Sequence, residues 1–334
     1  MPVRMKDIAR DLNVSVVTIS KVLRNHSDIG PATRKRVLQR VKELGYQPNW
    51  VARSLVTRRT YIIGLVVPDL MHSFFAEVAK GVGRKLRPRG YNVVISNSEE
   101  DSQLEAEEVN LLLARQVDGL LLASAQKPGD SDLFERIEEH KVPVVLIDRR
   151  ISGLDLSYVG VDDKQVGLLA TEHLIERGCR RIAHIRGPQI STGLGRLAGY
   201  RQALSRHGLR VASRYVLAGD SGDSTGYEAM RRLLALDPPP DGVFCYNDPV
   251  AAGAMKAALE AGLRVPEDVA VVGAGNVHYS DLLRVPLSTV DQSSSLIGEH
   301  AADLLLDLVE SKRPRRPRTI LLAPKLVVRD STNR

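Results

Sequence analysis

The apolar positions change period along the chain, and the change divides it into parts. Up to residue 46 they recur at helical spacing. Met5, Ile8, Ala9 and Leu12 share one face of a first helix, which Asn13 breaks. Ser15 can cap a second helix whose inward face is Ile19, Val22 and Leu23. Residues 25–30 read as loop. Pro31 opens a third helix, Gly45 ends it, and Val37, Leu38, Val41 and Leu44 form its stripe. Two short helices joined by a tight turn and braced by a third predict a helix-turn-helix head over residues 1–46.

From Tyr61 onward the pattern is different. Continuous apolar runs alternate with amphipathic segments: IIGLVVP (62–68), NVVIS (92–96), GLLLAS (119–124), PVVLID (143–148), RIAHI (181–185), GVFCY (242–246) and VAVVGA (269–274). Such runs predict buried parallel strands, and the helical segments between them predict βαβ units in doubly wound sheets. A second series starts near Val161, so two lobes with a cleft are expected, with ligands at the carboxyl ends of the strands. The fold class is therefore α/β, with an all-α head in front of a two-lobed doubly wound body over residues 61–330.

Residues 47–60 join the two. Pro48 ends the preceding segment and Asn49 can cap a new helix. Trp50 to Leu55 makes only about two turns, too few to stand alone, so this helix needs a partner chain, DNA, or both. Leu55 at its end can act as an apolar wedge in a minor groove, and Arg53 can meet phosphates. An ordinary linker is the alternative.

Charge changes the picture more than composition does. The chain of 334 residues carries +7, and residues 1–60 hold 13 Lys/Arg against 4 Asp/Glu, while the remainder holds 34 against 36. A basic head on a near-neutral body points to a polyanionic partner. On the second helix, Val16 and Val17 face outward at the N-terminal end, where they suit the methyl groups of thymine in a major groove. Ser15, Thr18, Ser20 and Lys21 surround them with short donors and a charge for phosphates and base edges. Cys179 and Cys245 have neither a disulfide framework nor zinc-ligand spacing. No apolar run reaches the roughly 18 residues of a membrane span, and no apolar core follows Met1 to Lys6 as in a signal peptide. A cytoplasmic, nucleoid-associated protein with no membrane partner, no metal and no cofactor is expected.

In the body, candidate ligand residues lie where strands end or helices begin. Phe74 and Phe75 either stack on a flat ligand face or belong to the core. Asp148 ends a strand. Arg196, after Gly193 and Gly195, can present a planar fork to hydroxyls or a carboxylate. Asn247 and Asp248 follow a strand and begin a helix, where Asp248 can also serve as a cap. An enzyme is not expected. Residues 222–226 match G-x-S-x-G, with Asp248 and His278 following in hydrolase order, but Ser224-Thr225 more simply starts a helix. GLGRLAG (193–199) lacks dinucleotide-fingerprint spacing. The basic run from Lys312 to Arg318 reads as a solvated loop.

MKDIARDLNVSVVTISKVLRN, followed by TRKRVLQRVKELGYQPNWVARSL, resembles the lactose-repressor (LacI/GalR) family of bacterial regulators. VDGLLL, LIERGCRRIAHIRGP, GRLAGYRQAL, GLRVPEDVAVVG and PLSTVDQ extend the resemblance through the body, nearest to the purine-repressor branch. The resemblance implies a ligand-responsive repressor on a near-palindromic, double-stranded operator. Val16, Val17 and Lys21 would read bases and Leu55 would be the wedge, with Asn25, Asn49, Ala52 and Arg53 completing the DNA-contact set. It implies a periplasmic-binding-protein-like effector domain with lobes 61–161 plus 291–322 and 162–290 plus 323–330. A homodimer is expected, and no leucine heptad follows Arg329 to make a tetramer. Effector contacts by Phe74, Phe75, Asp148, Arg196, Ser221, Asn247, Asp248, Gly275 and Asn276 follow by position. Two departures count. Gly275 stands where the family usually has an Asp for sugar hydroxyls, and Ser221 stands for an aromatic. Ile190 also replaces the Arg of the purine branch. These losses point away from a purine and towards a larger saccharide, with His278 and Tyr279 as replacement contacts.

Overall fold

The computed structural model describes residues 3–23, 26–46, 54, 59–126, 132–311 and 315–334. The chain divides into two compact units, Met1–Thr60 and Tyr61–Arg334. Of the expected DNA contacts, Asn25, Asn49, Ala52, Arg53 and Leu55 lie outside the described residues.

The head holds α1 (Met5–Leu12), α2 (Val16–Leu23) and α3 (Pro31–Glu43). Asn13 adopts the left-handed conformation (φ 53°) that ends α1 and turns the chain. Ser15 Oγ accepts the Thr18 amide at 3.0 Å, capping α2. Ile8, Ala9, Ile19, Val22 and Val37 form the buried core. Leu38 departs from the expected stripe and is 47% exposed. One helical step of about 100° separates it from the buried Val37, so the stripe runs Val37, Val41, Leu44 without it. Arg40 Nη2 donates to Asp11 Oδ2 at 2.6 Å and ties α3 to α1.

The body holds two six-stranded sheets. The first contains β1 (Ile62–Val67), β2 (Asn92–Asn97), β3 (Gly119–Leu122), β4 (Val144–Ile147), β5 (Ser157–Val161) and β11 (Thr319–Leu322), in the order β11-β5-β4-β3-β1-β2. The second contains β6 (Ile182–Arg186), β7 (Val216–Ala218), β8 (Gly242–Cys245), β9 (Ala270–Gly275), β10 (Ser288–Asp291) and β12 (Lys325–Val327), in the order β12-β10-β9-β8-β6-β7. All pairings are parallel except β10 with β12. The helices are α4 (Ser73–Leu86), α5 (Ser102–Ala114), α6 (Asp132–Glu139), α7 (Asp163–Glu176), α8 (Ser191–Arg206), α9 (Asp223–Leu234), α10 (Asp248–Glu260) and α11 (Ser294–Glu310).

Each of the seven apolar runs forms a strand. The strands without such a run are β5, β7, β10, β11 and β12. β7 and β12 have three residues each, and β11 alternates exposed with half-buried positions, so none makes a continuous apolar stretch. The chain passes between the sheets after β5, after β10 and between β11 and β12, which places three crossovers side by side under one cleft. No described helix is long and apolar enough to cross a membrane.

Candidate functional site

The N-terminal end of α2 offers a small apolar face inside a basic unit. Val16 and Val17 are 42% and 61% exposed, while Ile19 and Val22 one face away are buried. Thr18 Oγ1 lies 2.9 Å from Ser15 Oγ, so the first turn is fixed by its own side chains. Lys21 Nζ is paired with Asp28, and this hydrogen bond holds the Asp28 carboxyl below its ordinary range. A phosphate approaching Lys21 must displace an exposed carboxylate, a weak competitor at physiological salt.

The second candidate site lies between the lobes, at the carboxyl ends of the strands. Its wall includes His72, Phe74 and Phe75 after β1, Glu100 after β2, Asp148 and Arg149 after β4, Tyr246 and Asn247 after β8, together with Ser221, Arg196 and Gln292. Arg196 is the best-fixed member. Its Nε donates to Asp163 Oδ1 at 3.0 Å, Nη1 to the Tyr246 carbonyl at 2.7 Å and Nη2 to Gln292 Oε1 at 2.9 Å. The close crossing of α7 and α8 makes this possible. A Cβ on Gly167 would sit 2.1 Å from the Arg196 carbonyl, and one on Gly199 2.1 Å from that of Lys164, so these two positions admit only glycine. Burial pushes the Asp163 carboxyl up to about 7, against the pull of Arg196.

Arg149 forms the second guanidinium, with Nη1 and Nη2 donating to the two oxygens of Glu100 at 2.7 and 2.6 Å. Beside it, burial raises the Asp148 carboxyl. Asp148 has φ 61°, a left-handed conformation uncommon for a non-glycine residue and one that recurs at functional sites. Phe74 and Phe75 meet edge to face, 5.1 Å between centroids at 87°. Both are buried in the lobe core and also line the cleft, so the two expectations for them are compatible.

Direct bonds hold the lobes together. His72 Nε2 lies 3.1 Å from Asn247 Nδ2, the Arg150 amide donates to Ser191 Oγ at 2.9 Å, and the His278 amide to Glu77 Oε1 at 3.2 Å. Burial lowers the His72 ring to about 4, so it bridges the lobes uncharged. With the lobes so held, the cleft encloses only about 30 Å³, room for a few water molecules at most.

Five expected contacts, Asp248, Gly275, Asn276, His278 and Tyr279, lie outside the cleft wall. Asp248 is fully buried outside the cleft wall. Its Oδ2 accepts from the Val277 amide and Ser280 Oγ, its Oδ1 from Thr289 Oγ1, and it anchors the loop after β9. Asn247, one residue earlier, caps α10 by accepting the Val250 amide at 2.9 Å and still reaches the cleft through Nδ2. Asn276 turns away to accept from Arg329 at 2.7 Å. Gly275 has φ +139°, so an Asp there would be strained. His278 and Tyr279 are not part of the wall. Ser224 lies in the first turn of α9, and the carboxylate of Asp248 is held by Thr289, Ser280 and the Val277 amide rather than by a histidine. The sequence reading missed His72, Glu100, Arg149, Tyr246 and Gln292. Arg149 directly follows PVVLID and Tyr246 closes GVFCY, so both carried the strand-end signal. Gln292 follows β10, a strand with no such run.

The chain matches the family model "Bacterial regulatory proteins, lacI family" over residues 4–49 and "Periplasmic binding protein-like domain" over residues 171–332. It is 35% identical over 329 residues to the HTH-type transcriptional repressor PurR of Klebsiella pneumoniae (strain 342), covering 98% of this chain and 96% of that one. Among solved structures it is similar to the transcriptional regulator CelR–cellobiose complex, at 35% identity and TM-score 0.75 over 98% of this chain and 99% of that one. It is also similar to the lac repressor dimer bound to operator and the anti-inducer ONPF, at 28% identity and TM-score 0.86 over 99% of both chains.

Proposed function

We propose, from the premise that this chain belongs to the LacI family of bacterial regulatory proteins, that it is a homodimeric repressor of a near-palindromic operator whose hold on DNA is set by a neutral saccharide bound between the lobes. Residues 1–46 read the DNA, residues 47–60 form the hinge, and residues 61–330 sense the effector. α2 enters the major groove, where Val16 and Val17 meet thymine methyls and Lys21 a phosphate or base edge. Leu55 wedges the minor groove from the hinge.

One observation carries the choice of ligand. Both guanidiniums of the cleft already have a carboxyl partner, Arg149 the bidentate Glu100 and Arg196 the Asp163 carboxyl. With Asp148 nearby and His72 uncharged, the site leaves no unpaired guanidinium for an anion, which disfavours phosphates, nucleotides and sugar acids. What it offers is a set of planar donors and acceptors for hydroxyls, beside aromatic rings. The similarity to CelR, solved with cellobiose, supports a disaccharide. The similarity to PurR raises a purine as the rival, but Phe74 and Phe75 meet edge to face and form no parallel slot for a flat heterocycle. A sugar needs a cavity of about 300 Å³ or more, so binding must part the lobes, break the His72–Asn247 and Glu77–His278 bonds, and thereby reorient them.

The test is a thermal-shift panel on the full chain, with an operator footprint beside it. A matching disaccharide at about 100 times its Kd stabilises by about 2.7 kcal/mol and changes protection of two symmetric half-sites. Stabilisation by guanine or hypoxanthine and by no sugar would give the site to the purine reading.

A further inference from the structure

A cavity of about 720 Å³ opens in the first lobe, at the edge where β4, β5 and β11 begin rather than where they end. The cleft, with about 30 Å³, sits at the opposite, carboxyl ends of the strands. The larger volume falls among small-ligand sites, which hold roughly 300–1,000 Å³. Its floor is apolar and comes from four segments: Phe134 and Ile137 on α6, Val142 to Val144 entering β4, Leu154 and Leu156 before β5, and Leu308 near the end of α11. Phe134, Ile137 and Val144 belong to the core of the lobe, and Val142, Leu154 and Leu156 pack against it half-buried. Here that core meets solvent.

The connection from β4 to β5 explains the hollow. The two strands are parallel neighbours, yet residues 148–156 return from one to the other without a helix. Parallel strands are usually joined by a dozen or more residues that include one. A short loop with a left-handed Gly153 (φ 90°) takes its place and leaves the apolar hollow uncovered.

The rim carries Glu135, Glu138, Lys141, Asp155 and Arg315. Arg315 already faces Asp307 at 3.5 Å, a carboxylate it shares with Arg318 at 2.7 Å. Glu135, Glu138 and Asp155 are exposed and make no ion pair among the described residues, and on the rim only Lys141 opposes them unpaired. An apolar floor under an acidic rim selects an occupant with an apolar body and a cationic end. An anion would face carboxylates without compensation. A second copy docked about a two-fold axis would set these carboxylates against their own counterparts.

We propose that this cavity is a second ligand site, for a small amphipathic cation of the arylalkylamine kind. Phe134, Leu154 and Leu156 hold the apolar body, and Glu135, Glu138 and Asp155 surround the ammonium. The proposal does not depend on what fills the cleft. The two sites share only the connection 148–156, whose first residues line the cleft and whose last line the cavity.

Methyl-detected NMR titration of the full chain tests this, with phenylbutylamine, phenylbutanol and phenylbutyrate as probes of one body and three charges. The amine should shift the methyls of Leu154, Leu156 and Leu308 to saturation. It should bind about 2–5-fold more tightly than the alcohol, and the carboxylate should bind most weakly. Replacing the three exposed carboxyls together (Glu135→Gln, Glu138→Gln, Asp155→Asn) should bring the amine down to the affinity of the alcohol and leave the alcohol's own binding unchanged. Three results overturn the proposal: no shift of those methyls up to the solubility limit of the amine, a carboxylate that binds as well as the amine, or an amine preference that survives the triple substitution. Shifts of the same methyls on concentrating the protein alone would give the face to a second copy and overturn it too.

Discussion

In the head, the residues aimed at a partner are neighbours in sequence: Ser15 to Lys21 lie within two turns of α2, and the local cap at Ser15 is enough to orient them. In the cleft, Arg196 on α8 reaches Asp163 on α7, the Tyr246 carbonyl after β8 and Gln292 after β10, partners separated by up to 96 positions. The first surface is exposed, weakly paired and tolerant. The second is buried, and Arg196 in it is paired through all three guanidinium nitrogens, so these groups hold one another in place. Substitutions should therefore act in different ways in the two regions. In the head they should alter affinity by modest factors and leave the body's stability alone. In the cleft they should alter stability, response, or both.

The strongest break of that contrast is Arg196→Ala. It leaves Asp163 buried without its cation, a loss of about 3–5 kcal/mol by analogy with other buried pairs. Calorimetry should show the body's Tm falling, and the effector response should vanish while operator binding at low temperature persists. A retained response would detach Arg196 from the ligand site.

Next is the pH dependence of Asp163. Its folded pKa of about 7 stands above the ordinary value of 3.8. Between those values the folded state binds more protons than the unfolded one, so this group's contribution falls as pH rises from about 4 to 7 and is flat beyond. The buried His72, lowered to about 4, works in the opposite sense over pH 4 to 6.5. His173 and His184, also lowered to about 4 by burial, add to the His72 effect, so whole-protein profiles mix the two senses and the D163N variant isolates the first. Relative to wild type it should gain stability on going from pH 5 to pH 7.5, by up to about 2.5 kcal/mol. A difference that is constant across pH would remove the carboxyl from that role.

In the head, Lys21→Ala should weaken operator binding about tenfold and reduce the slope of log K against log salt by about 1. An unchanged slope would take Lys21 off the phosphates. The smallest effect is Val17→Ala. It should cost about 1 kcal/mol, at one base position only, and equal losses on methylated and unmethylated pyrimidines would contradict the thymine contact. Neither head variant should move the body's Tm. A shift there would blur the contrast itself.

The amino-acid pattern alone determined the three head helices, the seven apolar strands, the two-lobed α/β class and the strand ends as places to look for ligand. Each is written in a local period or in a continuous apolar run, because burial of one helical face or of a whole strand constrains consecutive residues. Leu38 shows the limit: its spacing suited the stripe, but only the packed head revealed which side of α3 faces inward. The edge strands β7, β11 and β12 escaped because an edge is half exposed and needs no apolar run. Tertiary structure alone decided which polar groups share the cleft. It withdrew Asp248 into an anchor for its own loop and brought Glu100 to Arg149 and Gln292 to Arg196. Those outcomes depend on where three crossovers bring separate strand ends together, and on buried polar groups taking whichever partners lie within about 3 Å. No sequence period records that distance.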